Sequence, residues 1–140
     1  MRVAVAQITL AALVGTAMAS CHRERANTRD TRTACERALG TWIGDDVDTR
    51  ETDPSALAVA REAIRAQHWR ITESTLESHE AASRVTRESL RVVNADADRC
   101  DVELTLGDRS RRLNYAVLSD GRLRIAANGG ATGMLLRREP

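Results

Sequence analysis

Lysine and phenylalanine are both missing from this chain, so all 21 of its cations are arginines, and two Trp and one Tyr supply its 2% aromatic content. Each absence excludes something. A nucleic-acid binder wants a basic surface with stacking aromatics, whereas here 21 Arg face 20 acids for a formal charge of +1; nucleic acid is not an expected partner. An apolar content of 42% with almost no net charge is the composition of a folded domain and not of a disordered chain. At 140 residues there is material for one domain and too little for two.

The signatures of chemistry are missing as well. There is no G-x-S-x-G and no C-x-x-C, and His79-Glu80-Ala81-Ala82-Ser83 lacks the second His of H-E-x-x-H. Gly129-Gly130-Ala131-Thr132-Gly133 is glycine-rich but has no following Lys and no helix to present to a phosphate, so it reads as a turn. Two acidic stretches suggest calcium, yet Asn94-Ala95-Asp96-Ala97-Asp98 has Arg99 where the loop needs Gly and Thr105 where a bidentate Glu would close it. Asp45, Asp46 and Asp48 read as solvated turn residues. His68 and His79 stand eleven apart with no third ligand at a zinc-like spacing, and His22 lies outside the domain. No catalytic residue, metal or cofactor is expected, and the chain reads as a non-enzyme.

What is present begins with an address. Met1 to Ser20 has one Arg at position 2, a mostly apolar run from Val3 to Val14 and small residues up to Ser20, the layout of a signal peptide. Gln7, Thr9, Gly15 and Thr16 interrupt it, and it is short for a membrane span. Ala17-Met18-Ala19 offers an A-x-A cleavage site. Ala19-Ser20-Cys21, however, resembles the end of a bacterial lipoprotein signal, with Met18 where Leu is usual. That resemblance implies cleavage before Cys21, a lipid on Cys21, and an anchor in the cell envelope; His22 after the Cys implies the outer membrane. Cysteine arithmetic agrees, because Cys21, Cys35 and Cys100 would leave an odd thiol in an oxidising compartment unless one is modified. The expected disulfide is then Cys35–Cys100, with two buried free thiols as the alternative.

Starting at Cys21 removes Arg2 and leaves 20 Arg against 20 acids, so no bulk steering field is expected. Residues 21–34 contain no large apolar side chain and read as a flexible tether. Arg23, Arg25, Arg29 and Arg32 also allow contact with anionic headgroups. Residues 35–140 form the domain, about 105 residues. Leu39 to Ile43 reads as a short strand ending in an acidic loop from Gly44 to Asp48. Asp53 and Pro54 open a helix whose Leu57, Ala60 and Ile64 recur at helical spacing, with Val59, Ala63 and Ala66 widening the stripe. After His68 the period becomes 2. Trp69 and Ile71 start a strand; Val85 to Val93 is a poorer one, broken by Arg87 and Glu88. Cys100, Val102, Leu104 and Leu106 share one face of the clearest strand. Asp120-Gly121 joins a strand bearing Leu113, Tyr115 and Val117 to one bearing Leu123, Ile125 and Ala127, and Met134 to Arg138 ends the series. The expected fold is mainly β with one inserted α-helix, an antiparallel meander of six or seven strands.

Leu39-Gly40-Thr41-Trp42, followed by antiparallel strands and the late Arg137-Arg138 pair, resembles the calycin superfamily of lipocalins and fatty-acid-binding proteins. The resemblance implies a small lipocalin-like barrel or half-barrel in which Trp42 packs against Arg137 or Arg138. It also likens the helix after Asp53 to the lid of fatty-acid-binding proteins, placed over the apolar face bearing Val102, Leu104, Tyr115 and Ile125. Function is expected to be non-catalytic: a surface interaction or structural module of the envelope, its protein partner unspecified. The alternative is a binding module for a small apolar ligand whose lining the sequence does not name. A cavity of about 300 Å³ or more beneath the helix is the observation that separates the two.

Overall fold

The computed structural model describes residues 30–80, 84–127 and 130–140. The signal segment, the lipidation expected at Cys21 and most of the tether lie outside the described residues, as do residues 81–83 and 128–129. Elements follow in the order α1 (Ala34–Ala38), β1 (Gly40–Asp48), α2 (Pro54–Arg65), β2 (Gln67–Ile71), β3 (Thr75–Glu80), β4 (Arg84–Ala95), β5 (Cys100–Leu106), β6 (Arg109–Val117), β7 (Leu123–Ala127) and β8 (Gly133–Arg138). Each strand pairs antiparallel with the next, and β1 pairs with β8 to close an eight-stranded barrel. The meander and inserted helix are as the sequence indicates, with eight strands instead of six or seven, and of the barrel and half-barrel alternatives it is the closed barrel that forms. Among the described residues no helix is long and apolar enough to cross a membrane.

The two ends of the barrel are built differently. At one end sits α1, which the sequence pattern assigns to no element. Thr33, its N-cap, accepts from the Glu36 amide while the Glu36 carboxylate accepts from the Thr33 amide, a reciprocal capping box. Thr33 and Ala34, counted with the tether in the sequence, therefore belong to the domain. Ala34 and Ala38 are fully buried, and Cys35 is bonded to Cys100 with a Cα–Cα separation of 5.0 Å. The helix is thus stapled across the end of the barrel to the first residue of β5.

Trp42, fully buried, donates from its indole N–H to the Ala38 carbonyl at 2.8 Å. Arg138 lies over the ring at 4.3 Å from its centroid and donates to the Leu39 and Arg37 carbonyls. Of the two arginines left open by the sequence, Arg138 is the partner; Arg137 pairs in register with Ile43 and faces out. Register decides it, because Trp42 stands opposite Arg138 in the β1–β8 ladder. Gly40 makes the approach feasible. Its φ is 126°, and a Cβ there would meet the Arg138 guanidinium at 2.6 Å, so the glycine of Gly-x-Trp is required by the arginine that crosses it.

The other end carries α2. Asp53 caps it, accepting from the Ser55 amide, with Pro54 in its first turn. Its stripe is narrower than the sequence pattern: Ile64 is buried, Leu57 and Ala60 are half-buried, and Val59 is 70% exposed. The helix packs chiefly against β1. Gly44 is the contact point, since a Cβ there would fall 1.6 Å from the Ile64 carbonyl oxygen. The lid therefore does not lie over Val102, Leu104 and Tyr115, which point into the barrel interior; of the face expected beneath it, Ile125 alone borders the space at its end.

The acidic stretch after Ile43 is strand and not loop. A bulge between Gly44 and Asp46 lets β1 continue to Asp48, and each carboxylate meets an Arg from another element: Asp46 with Arg61 at 2.7 Å, Asp45 with Arg122 at 3.3 Å, and Asp48 with Arg124. The Arg61 guanidinium holds the Asp46 carboxyl below the usual carboxylate range. Farther round the barrel Arg87–Glu77, Arg91–Glu103 and Arg99–Asp101 continue the pattern on the outside. Exposed pairs of this kind add little stability each, about 0 to 1 kcal/mol, and leave the surface without a field of one sign.

The disulfide is the heavier contribution. It closes a separation of 65 residues, worth about 4 kcal/mol in the chain-entropy description. Replacing both cysteines with serine (Cys35→Ser, Cys100→Ser) should lower the unfolding free energy by about that amount in urea titration; a loss below about 1 kcal/mol would mean that packing alone holds α1.

Candidate functional site

Eight strands make a barrel whose interior side chains can either fill it or leave room for one small ligand. Both occur here, at opposite ends. Toward α1 the interior is filled by Trp42, Leu76, Val102, Leu104, Tyr115, Leu123 and Leu136, all essentially inaccessible to solvent. A residual space of about 150 Å³ remains between α1, the β2–β3 turn, β4 and β5, bordered by Leu39, Ile71, Leu90 and the disulfide.

Beside α2 the interior opens into a mouth of about 540 Å³. Its walls are apolar where Trp69, Leu113, Ile125 and Met134 of the strands meet Ala60 and Ile64 of the helix. Polar atoms come from Gln67, Ser78, Glu80, Thr132 and Arg111. Gln67 fixes the Trp69 ring, its side-chain oxygen accepting from the indole N–H at 2.9 Å. A mostly apolar concavity with a few placed polar groups is the usual form of a small-molecule site.

Arg111 joins the mouth to a buried charge. It faces inward on β6 opposite Leu104, and its guanidinium grips Glu88 of β4 as a fork, Nε to Oε1 at 2.9 Å and Nη2 to Oε2. The Glu88 side chain is 7% exposed and that of Arg111 is 50% exposed, so one partner is sealed in the barrel wall while the other reaches into the mouth. Such a pair is held in place by the cost of separating its charges in a low dielectric. Glu88 is the residue that breaks the alternation of the Val85–Val93 run. Its violation of the strand pattern is the sign by which the sequence could have pointed to it.

Tyr115 is the remaining polar group inside. It is 1% exposed, and its hydroxyl is buried without a hydrogen-bond partner. Burial pushes the phenol well above its ordinary value, with the nearby Arg111 charge opposing and the Glu88 charge reinforcing the shift.

The other sequence candidates are dispersed. His68 and His79 face one another across the β2–β3 ladder on the outside of the barrel, beside an open groove walled by Thr41, Arg70 and Glu77. Among the described residues no group of three or more His, Cys, Asp or Glu is arranged to hold a metal. Asp96 serves a turn, its carboxylate accepting from the Asp98 and Arg99 amides. His22 lies outside the described residues. Comparison with known proteins does not extend the assignment: no family model, curated protein or solved structure matches the chain.

Because Tyr115 is the sole tyrosine, its ionisation is directly observable. The unfolded phenol ionises near 10 while the folded one holds its proton to higher pH. Above that value the unfolded state binds fewer protons, so stability falls as pH rises, by up to about 1.4 kcal/mol per pH unit. Tyrosinate absorbance should therefore appear together with loss of fold, and Tyr115→Phe should remove this alkaline slope without lowering stability at neutral pH.

Proposed function

We propose that this chain is a non-catalytic, lipid-anchored module of the bacterial cell envelope, at the outer membrane, whose barrel binds a small apolar-bodied molecule in the mouth beside α2. The supporting observation is the mouth of about 540 Å³ bordered by Ala60 and Ile64 of the helix, larger than the 300 Å³ that separates a binding site from a packed interior. The filled half of the barrel gives that site a rigid floor. The surface-interaction reading has the open outer groove of about 690 Å³ beside His68 and His79, but among the described residues many of the outer arginines are paired with acids. The anchor rests on the small-residue approach to Cys21 and on the pairing of Cys35 with Cys100, which leaves Cys21 as the odd cysteine.

N-phenyl-1-naphthylamine, an uncharged apolar fluorophore, should brighten on binding the wild-type domain. Ala60→Trp fills the mouth from the half-buried side of α2 and should weaken that uptake roughly tenfold while leaving the thermal midpoint unchanged. No uptake by the wild type at any concentration returns the chain to the surface-module reading.

Anchoring is tested separately on the envelope fraction of a bacterium that expresses the whole chain. Mass spectrometry should find Cys21 as the first residue with attached acyl chains, and Cys21→Ser should release the protein from the membrane. An unmodified N-terminus at Ser20 would overturn the anchor.

A further inference from the structure

The mouth carries a charge arrangement that selects its ligand, an inference that rests on the binding reading above. Arg111 is the single cation among the described residues lining it, and Glu80 stands at its rim. The Arg111 charge is already met by Glu88, whose carboxylate occupies Nε and Nη2. Nη1 takes no part in that fork, half of the side chain is exposed, and Arg111 is among the residues lining the mouth.

A carboxylate entering the mouth would therefore find a guanidinium spoken for by a sealed carboxylate behind it and a second carboxylate on the rim. It would shed its hydration without an unshared countercharge. An ammonium would face the Arg111 cation, bring no acceptor for its free N–H groups, and find only the solvent-exposed rim carboxylate of Glu80 to pair with, a weak partner in water. A neutral carbonyl or amide oxygen meets neither obstacle, because it accepts one hydrogen bond and brings no charge. From these observations we infer that the mouth takes an uncharged amphipath, its acceptor oxygen on Arg111 Nη1 and its apolar body along Trp69, Leu113 and Ile125. The Glu88–Arg111 pair is then a specificity device: Glu88 neutralises the guanidinium so that anions are refused, while leaving one edge of it to donate. Selectivity of this kind comes from the group that repels the wrong ligand as much as from the one that attracts the right one.

Octanamide, octanoate and octylammonium differ in their head groups on closely matched chains and make the test. Binding is read by calorimetry at neutral pH and by quenching of Trp69, with Trp42 buried at the far end as the unresponsive tryptophan. Wild-type protein should bind octanamide roughly tenfold or more tighter than either ion. Glu88→Gln leaves Arg111 charged and unneutralised, and should shift the amide-to-carboxylate ratio roughly tenfold or more toward octanoate. The double variant Glu88→Leu with Arg111→Met replaces the pair by apolar groups that fold in its place; it should lose the amide preference and keep naphthylamine uptake. Octanoate or octylammonium binding as tightly as octanamide to the wild type, or an unchanged ratio in Glu88→Gln, overturns the assignment. Failure of all three octyl probes while naphthylamine is taken up overturns it alone, and failure of all four overturns the binding reading with it.

Discussion

Closure of the meander through β1 and β8 is the constraint from which the rest of the domain follows. A meander of eight strands left open would expose two edges and wet one whole face; joined, it has neither. The pairing unites segments from opposite ends of the domain, a contact made against the entropy of the intervening chain. The residues at the seam are those that hold it: Trp42 faces Arg138 across the ladder, Gly40 clears the path, and the guanidinium binds two carbonyls at the C-terminal side of α1. The stacking itself is worth about 0.5 to 2 kcal/mol. Its larger effect is on register, because a slip of one residue would turn Trp42 outward and put Ile43 in the core.

Once closed, the barrel divides its interior between stability and access. With no Phe and only three aromatic residues, the chain fills one half with Leu, Val and its two largest fully buried residues, Trp42 and Tyr115, and adds α1 as a plug held by the disulfide. The second half is not filled in the same way. The helix α2 covers part of the gap through Ile64, and a pair with Glu88 buried and Arg111 half-exposed completes the wall where a hydrophobic side chain would otherwise stand.

This division explains what could and could not be read from the sequence. The strands bearing Val102, Leu104 and Tyr115 read clearly because these inward positions are apolar and lie in the filled half, and Ile125 reads as clearly because it is apolar where the mouth begins. The misread stretches border the mouth or the seam. β3 carries one inward apolar residue, Leu76, before Ser78 and Glu80 reach the opening, so no alternation was visible. Glu88 and Arg111 look like outward residues and point in. The run from Gly44 to Asp48 reads as a loop because four of its five residues are Gly or Asp; its strand character comes from β8 and from three arginines distant in sequence. Local pattern assumes that what faces inward is greasy, and it fails where the interior has been given another use. The helix α1 failed for a different reason. Five residues are too few for a period, although Thr33-Ala34-Cys35-Glu36 carries a capping box that would have marked it.

The placement of α1 also gives the molecule a direction. Residues 30–33 leave the domain at the plugged end, beside Arg138 and the disulfide, whereas the mouth opens at the end where α2 sits. Under the anchoring proposed above, the attachment would join the sealed end of the barrel, and the mouth would open at the other. On the binding reading, entry and attachment would then fall at opposite ends of one barrel, so that a change at either end need not disturb the other.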